Sequence, residues 1–510
     1  MSNHGTSAAA RGAVREALDV SHGDTITLSS MVYSDMLSVP VDILLARSPE
    51  AQRIREELLH GTRVVFVCAG FPTKKFIYEL AHKKGVSIAI IDYPNSWSST
   101  LLEEGIIDHF IPLDMSGDPD CVFVAALNSI EALAPAWLPD GVCTFVELAV
   151  ELTSRLGKAL GLPHSNTNSI ETVRDKSRTR AALGDVKSVK ISHADQILHA
   201  VDFVGIPGVM KPVSGAASLC VQRFNSVDEA VALYNQIRSE MVSWLVVSAG
   251  ALGRRSTSVA NLPPSSDDLP PASLHPVINP DIMVEEYLDG PEVDVDVIMS
   301  DGECQYATVI DNGPTFEPFF AETWAAVPSL MEPSSRVSEL RNLAVDSLKR
   351  FGLTDGVFHV ELKYTSRGPR LIEINARMGG GPTRKIHKLV AGVDLVIEQL
   401  LIAVGIPSRP PLPLSPLTRV AYAFINARTT GYVNSVNFFE KYKSRPHVVY
   451  IIPYIEPFEV CYGPQDNLPS WLGEIVVCHE DGEKALEIVQ ELESEIAQEF
   501  SQISIPVCLS

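Results

Sequence analysis

Positive charge is scarce in this 510-residue chain, where 41 Lys and Arg stand against 63 Asp and Glu for a formal net charge of −22. The deficit excludes a broad basic surface for nucleic acid or for an anionic membrane, so any anionic ligand must be held by a few local cations. Paired cysteine motifs are also missing. The 8 cysteines (Cys68, Cys121, Cys143, Cys220, Cys304, Cys461, Cys478, Cys508) are scattered, with no C-x-x-C and no closely spaced histidines to complete a zinc site. They are expected to be reduced cytosolic thiols, mostly buried. There is no long uninterrupted apolar run, and the opening MSNHGTSAAARGAVREALDV lacks the apolar core of a signal peptide; the expectation is a cytoplasmic protein with no membrane partner. What is present, 45% apolar, 20% charged and 7% aromatic residues, is the composition of a folded globular chain. Its length suggests roughly three domains.

The first 160 residues alternate strand-like and helix-like segments. RVVFVCA ends in Gly70-Phe71-Pro72-Thr73, KKFIYELAHKKG follows with helical character, and VSIAIIDY is the next strand. Strand, turn, helix and strand at this spacing predict a βαβ unit with a parallel sheet. The turn has one glycine and no G-x-G-x-x-G, which favours a structural α/β domain over dinucleotide binding. A helix over FVELAVELTSRLGKALGLP closes this domain near residue 160. Residues 161–410 carry the chemistry. Within them 249–279 are rich in Pro, Ser and Asp without periodicity and read as a surface insertion. The Pro-rich joint SRPPLPLSP then leads to a smaller α/β portion over 411–510. It ends in an amphipathic helix, DGEKALEIVQELESEIAQEF, whose acidic outer face is expected to be solvated.

The most informative stretch is VFHVELKYTSRGPRLIEINARMGGG. Two alternating runs flank Ser366-Arg367-Gly368-Pro369, the chemistry of a turn, and predict an antiparallel hairpin. A turn centred on Arg367 sets 361 opposite 373 and 359 opposite 375. Glu361, Glu373, Asn375 and Arg377 then share one face. Opposed carboxylates repel unless a cation lies between them or one takes up a proton. Two carboxylates with an Asn oxygen make a hard, all-oxygen set of the kind that holds Mg²⁺ and leaves room for phosphate oxygens. The bland alternative is an acidic edge bridged by surface lysines. His359, beside this face, is read as a packed core residue in preference to a substrate contact.

Upstream, Lys211 ends a short apolar strand before the small-residue turn Ser214-Gly215-Ala216-Ala217-Ser218. Backbone amides can approach a phosphate closely there while the ammonium supplies charge. Lys176 opens a basic helix, VRDKSRTRAAL, that by itself is equally a solvated face. In MVEEYLDGPEVDVDVI the valines alternate with Glu292, Asp294 and Asp296. The valine face is core, and the acidic face, taken alone, is expected to be solvated.

Together these segments resemble the ATP-grasp superfamily. From residue 284 to about 406 the chain is most similar to carnosine synthase and related ATP-grasp amino-acid ligases, on VEEYLDGPEVDVDVIMSDG, DNGPTFEPFFAET, DGVFHVELK, and GPRLIEINARMGGG followed by GVDL. The resemblance implies an α/β fold, α+β in its catalytic part. An N-terminal pre-ATP-grasp parallel-sheet domain (1–160) would precede an ATP-grasp domain (161–410) with a lid at about 190–280, and a small C-terminal subdomain (411–510) would follow. It also implies roles. Lys176 and Lys211 would contact ATP phosphates, with Ser214, Gly215 and Ser218 in the lid. Glu285 would accept from the adenine amino group, the backbone from Glu286 to Leu288 would meet the ring edge, and Glu292 would bind the ribose. Glu361, Glu373 and Asn375 would carry two Mg²⁺ ions, with Mn²⁺ an alternative. Arg377 would steady the transferring phosphoryl group or a substrate carboxylate, and Glu322 would lie in the amino-acid pocket. The lid departs from the usual pattern, with Gly215-Ala216-Ala217-Ser218 where a further glycine is common.

The implied reaction joins a carboxylate and an amine, both from amino acids, through an acyl phosphate, releasing ADP and phosphate. No covalent protein nucleophile is required. Two other readings share the scaffold: a carboxylase of the biotin or purine type, and a nucleotide-binding pseudoenzyme. A homodimer is one assembly open to such a chain.

Overall fold

The computed structural model describes residues 39–213, 220–248, 281–316, 319–466 and 469–507. Ser214, Gly215, Ser218, Cys508 and the 249–279 insertion lie outside the described residues. Among those described, no helix is long and apolar enough to cross a membrane. Seven cysteines are described and none forms a disulfide. Only Cys68, Cys143 and Cys461 are buried, so the expectation that most would be enclosed is corrected: Cys121 is exposed and the other three are half-buried.

Three sheets organise the chain. The first contains β1 (Arg63–Val67), β2 (Ser87–Asp92), β3 (His109–Pro112) and β4 (Gly141–Cys143) in the order β3-β2-β1-β4, all parallel. A parallel strand covered on both faces needs a continuous apolar run, and RVVFV is one. Val64 and Phe66 enter one core, and Val65 and Val67 the core on the opposite face. The chain winds outward from β1 through β3 and returns on the other side of β1 as β4. The carboxyl ends of β1 and β4 therefore flank a topological switch point. The helix Val150–Leu160 closes this unit and stops at Gly161, whose φ of 66° is left-handed.

The second sheet holds β5 (Ser188–Ile191), β6 (Gly208–Pro212), β7 (Gln222–Phe224) and β8 (Ile282–Glu286) in the order β5-β8-β6-β7, all antiparallel. Ile191, Met210, Phe224, Ile282 and Val284 bury one face against the helix Ile197–Val204.

The third sheet has eight strands: β9 (Glu292–Ser300), β10 (Glu303–Asn312), β11 (Trp324–Val327), β12 (Gly356–Thr365), β13 (Gly368–Asn375), β14 (Arg419–Asn426), β15 (Val448–Pro453) and β16 (Trp471–His479). Their order is β13-β12-β9-β10-β11-β14-β16-β15, with every neighbouring pair antiparallel. The residues after 411 thus extend the sheet that carries the hairpin. Val293, Val295 and Val297 pack on Leu340, Ala344 and Leu348 of the helix Ser334–Arg350. Further along, Ala421, Ala423, Ile425, Ile475 and Val477 pack on Val489, Leu492, Ile496 and Phe500 of the helix Gly482–Ile503. On the opposite face β9 places Glu292, Asp294 and Asp296, while β14 and β16 place Val420, Tyr422, Phe424 and Val476.

Gly290 carries the chain from β8 into β9, between the second and third sheets. Its φ is +83°, and a Cβ built on it would lie 2.1 Å from the Tyr364 carbonyl oxygen. Gly302 has a similar φ of +74° with nothing within 4 Å. Gly302→Ala is therefore expected to cost only the left-handed conformation, about 1 kcal/mol. Gly290→Ala adds the backbone clash and should cost about 2–4 kcal/mol. Urea unfolding midpoints of the two variants check this; equal losses would remove the close approach as the constraint.

Candidate active site

The hairpin of β12 and β13 turns at Ser366-Arg367, since Thr365 pairs with Gly368. Pairing from that turn alone would set Glu361 against Ile372. Instead Leu362 pairs with Leu371 and Glu361 with Glu373, so Ile372 is bulged out of the ladder. A one-residue shift moves every later side chain to the other face. The bulge is thus what brings Glu373 and Asn375 onto the face of Glu361, in the register expected of an Arg367-centred turn. On the other side of β12, Glu361 pairs with Asp294, His359 with Asp296 and Lys363 with Glu292. One row therefore reads Glu373, Glu361, Asp294, and the next Asn375, His359, Asp296.

Two expectations are corrected here. The acidic face of β9 is not solvated: Asp294 is 8% exposed and Asp296 fully buried. His359 is not packed among apolar groups, because its Nδ1 lies 2.9 Å from Asp296 Oδ1 and its Nε2 3.8 Å from Asp294 Oδ2. Asp296 Oδ2 lies 2.7 Å from Nε2 of His387, whose Nδ1 is 2.7 Å from the Tyr306 hydroxyl. His387 stands on the helix Thr383–Ala391, which covers this end of the face. Burial disfavours the charged imidazole of His359, yet Asp294 and Asp296 outweigh it and hold its pKa up at about 10. The two carboxylates thus favour its protonated form.

Enclosure in the protein, with Glu373 opposite, pushes Glu361 well above the usual carboxylate range. Lys176 Nζ lies 2.8 Å from Glu373 Oε1, and Asn375 Nδ2 donates to Glu361 Oε1 at 2.9 Å. Lys176 reaches this point because Asp175 caps the helix Lys176–Leu183 through the Ser177 and Arg178 amides. A repelled, oxygen-only pair fits a hard dication. Among the described residues no three His, Cys, Asp or Glu side chains converge as a metal cage. Mg²⁺ is commonly held by one or two carboxylates together with substrate phosphates.

Toward the second sheet, Glu285 binds two buried cations: Lys211 Nζ at Oε1 and, at 2.8 Å, Arg180 Nε at Oε2. Burial opposes its charge, but Arg180 and Lys211 hold its pKa down at about 2. A carboxylate has lone pairs beyond those two contacts, so an adenine amino group could still donate to it. Arg180 was not singled out from the sequence; its place four residues after Lys176, one helical turn on, is the signal that was there. Glu286 turns to Arg367, 2.9 Å away. The Leu288 carbonyl accepts from Lys363 Nζ at 3.4 Å, and Glu292 lies 3.7 Å from the same ammonium.

Arg377 Nη2 donates to Asn375 Oδ1 at 3.2 Å and Nη1 to the Met378 carbonyl at 2.9 Å, while Nε lies 3.2 Å from Glu147 Oε2. Glu147 belongs to the segment after β4 and is also 3.7 Å from Arg174. No pattern in the sequence marked it. Glu322 opens to solvent, yet the atoms gathered round it, with Asp294 and Glu292, push its carboxyl up to about 7. Its backbone carbonyl accepts from Asn426 Nδ2 at 2.9 Å. The structure thus gathers Lys176, Glu361, Glu373, Asn375 and Arg377 at one point and Lys211 with Glu285 at a second, with Glu322 in the field of Asp294, His359 and Arg377.

Residues 271–385 match the ATP-grasp domain family and residues 78–164 the ATP-grasp N-terminal domain family. Human carnosine synthase 1 is 29% identical over 393 residues, which cover 74% of this chain and 43% of that protein. Alanine–anticapsin ligase of Bacillus subtilis is 25% identical over 320 residues, 58% of this chain and 62% of the relative. The chain therefore spans less than half the length of the carnosine synthase and under two thirds of the ligase. The crystal structure of L-amino acid ligase from Bacillus licheniformis superposes with a TM-score of 0.67 at 20% identity, covering 86% of this chain and 98% of that one.

Replacing Glu285 by Gln would leave Lys211 and Arg180, 3% and 2% exposed, without a counter-charge. The expected cost is about 3–5 kcal/mol, read from the unfolding midpoint near pH 7. Because the folded pKa of about 2 lies below the ordinary 4.5, this contribution is fully present above about pH 4.5 and fades as pH falls toward 2. The gap between wild type and variant should narrow over that window. A gap independent of pH would show that charge is not its source.

Proposed function

We propose, starting from the ATP-grasp fold that this chain displays, that it is an ATP-dependent carboxylate–amine ligase acting on amino acids, forming an amide and releasing ADP and phosphate. The observation that carries the reading is the facing pair Glu361 and Glu373 with Asn375, flanked by Lys176 and Arg377. The names of the relatives, carnosine synthase and alanine–anticapsin ligase, point to the same class of substrates.

A carboxylate does not acylate an amine at neutral pH, because its leaving group would be an oxide. Phosphorylation by ATP removes that obstacle, and in such transfer a protein contributes mainly positioning and charge neutralisation. Glu361, Glu373 and Asn375 would hold Mg²⁺, two ions in the fullest version, with Mn²⁺ as a substitute. An ion held there would supply positive charge against the phosphates. Lys176, already at Glu373, would turn toward the phosphates, and Arg377, braced by Asn375 and Glu147, would face the transferring group. Lys211 would lie at the nucleotide between the second and third sheets, its charge tempered by Glu285, while Glu286, Leu288 and Glu292 border the adenosine. Ser214, Gly215 and Ser218 belong to the same proposal as lid contacts. Glu322 would meet the substrate amino group.

Supplying ATP and Mg²⁺ with pairs of amino acids, and separately with bicarbonate and biotin, tests the reading. ADP and phosphate should appear with an amino-acid pair, with the dipeptide-like product visible by mass spectrometry. Turnover only with bicarbonate and biotin would overturn it. Glu361→Gln and Glu373→Ala should each lower ADP release by about 100-fold or more. Unchanged release in Glu373→Ala would remove the metal assignment.

A further inference from the structure

The third sheet ends at β13, which has β12 on one side and no strand on the other. Backbone groups at such an edge are left to side chains or to solvent. Residues 176–185 meet this strand at three points. Lys176 Nζ is 2.8 Å from Glu373 Oε1, Arg180 Nη1 donates to the Leu371 carbonyl, and Asp185 Oδ2 lies 3.6 Å from Arg370 Nε. The order of these contacts is antiparallel to the strand, and the first two fall on either side of Ile372, the residue bulged out of the ladder. Four helical residues rise about 6 Å, close to the step between alternate residues of a strand. One helix face can therefore hold residues 371 and 373 together.

The bulge has a cause in the apolar pattern, but that pattern leaves a choice. Leu371 and Ile374 are both buried in the same apolar core. Residues three apart in a strand share a face only when one residue between them is left out of the ladder. If Ile372 is left out, Glu373 faces Glu361, as observed. If Glu373 were left out instead, Ile372 would face Glu361, and the metal face would lose a carboxylate. Burial of Leu371 and Ile374 is the same in both. The pairings diverge at the peptide that follows Leu371, and its carbonyl is the one Arg180 holds.

Arg180 is itself buried, with Nε 2.8 Å from Glu285 Oε2. Among the described residues its Nη2 is buried without a hydrogen-bond partner. An apolar side chain would fill this space without leaving a buried donor unpaired. What the guanidinium adds is direction, a planar fork fixed at one end by a carboxylate of the second sheet and aimed at the bulge by the other.

We infer that Arg180 is a positioning residue for the metal site: anchored on Glu285, it fixes the Leu371 carbonyl so that Ile372 leaves the ladder and Glu373 faces Glu361. The inference rests on the metal reading proposed for that carboxylate pair and deepens it. Lys176 then meets a carboxylate already turned toward it.

Mn²⁺ binding in the presence of ADP, followed through the electron paramagnetic resonance of the free ion, reads the carboxylate pair without turnover. Arg180→Lys keeps a cation beside Glu285 but loses the fork. It should weaken Mn²⁺ about tenfold or more, with ADP affinity in the absence of metal unchanged. Arg370→Lys, on the same edge one residue before Leu371, should leave Mn²⁺ affinity as in wild type. Deleting Ile372 removes the choice, because the ladder then passes from Leu362 with Leu371 directly to Glu361 with Glu373. In that shortened chain Arg180→Lys should no longer weaken Mn²⁺, a rescue not open to a side chain that only stabilises the fold. Mn²⁺ affinity indifferent to Arg180→Lys in the full chain overturns the inference and leaves the metal reading standing. An equal loss with and without Ile372 does the same. Should the shortened chain not fold, the comparison of Arg180→Lys with Arg370→Lys decides, and equal losses overturn the inference. If wild type binds no Mn²⁺ beside ADP, the metal reading falls and takes the inference with it.

Discussion

Glu361 and Glu373 face each other across the β12–β13 ladder, with Asp294 in line behind them on β9, and like charges set this close repel unless cations lie among them. Much of the surrounding structure answers that constraint. Lys176 arrives on the capped start of its helix to meet Glu373. His359 lies between Asp294 and Asp296, which favour its protonated form, and Asp296 is in turn anchored through His387 to Tyr306. The remaining imbalance is what a divalent cation and the phosphates it accompanies would resolve.

The same logic shows how a chain of net charge −22 could meet the polyanionic nucleotide proposed for it. Its cations are few but are brought in from separate elements, and each is held by a carboxylate until it is needed. Lys211 and Arg180 share Glu285, Lys176 rests on Glu373, and Arg377 leans on Glu147. Buried cations kept in place this way are oriented before any ligand arrives, which is the condition for electrostatic assistance without reorganisation. The acidic excess is in part the scaffold for the positive site.

How much of this could be read from residues alone depended on sequence distance. The hairpin was legible, because a period of two and a turn sequence define which side chains share a face, and Glu361 indeed meets Glu373. The turn itself lies half a residue from the expected centre, and the Ile372 bulge makes up the difference. The parallel unit around RVVFV was legible for the same local reason, and the resemblance of the central segment agrees with the family matches over residues 78–164 and 271–385. The acidic side of β9 was misread, since alternation identifies two faces but not which one another element covers; the helix bearing His387 covers it. His359 was misread with it. Glu147 gave no signal, because its partners Arg174 and Arg377 lie on a helix and a loop elsewhere along the chain and only the fold brings them to it.

The central claim is that the carboxylate face prepares a substrate carboxylate for attack by placing a phosphoryl group on it. Transfer of ¹⁸O tests this most directly. With an amino-acid pair that supports turnover, the acyl-donating acid is labelled with ¹⁸O in its carboxylate, and the phosphate released is analysed by mass spectrometry. The account predicts one carboxylate oxygen carried into each phosphate, because the oxygen that attacks the γ-phosphorus leaves with it when the amine displaces phosphate from the acyl carbon. Unlabelled phosphate, formed at the same rate as the amide product, would contradict it.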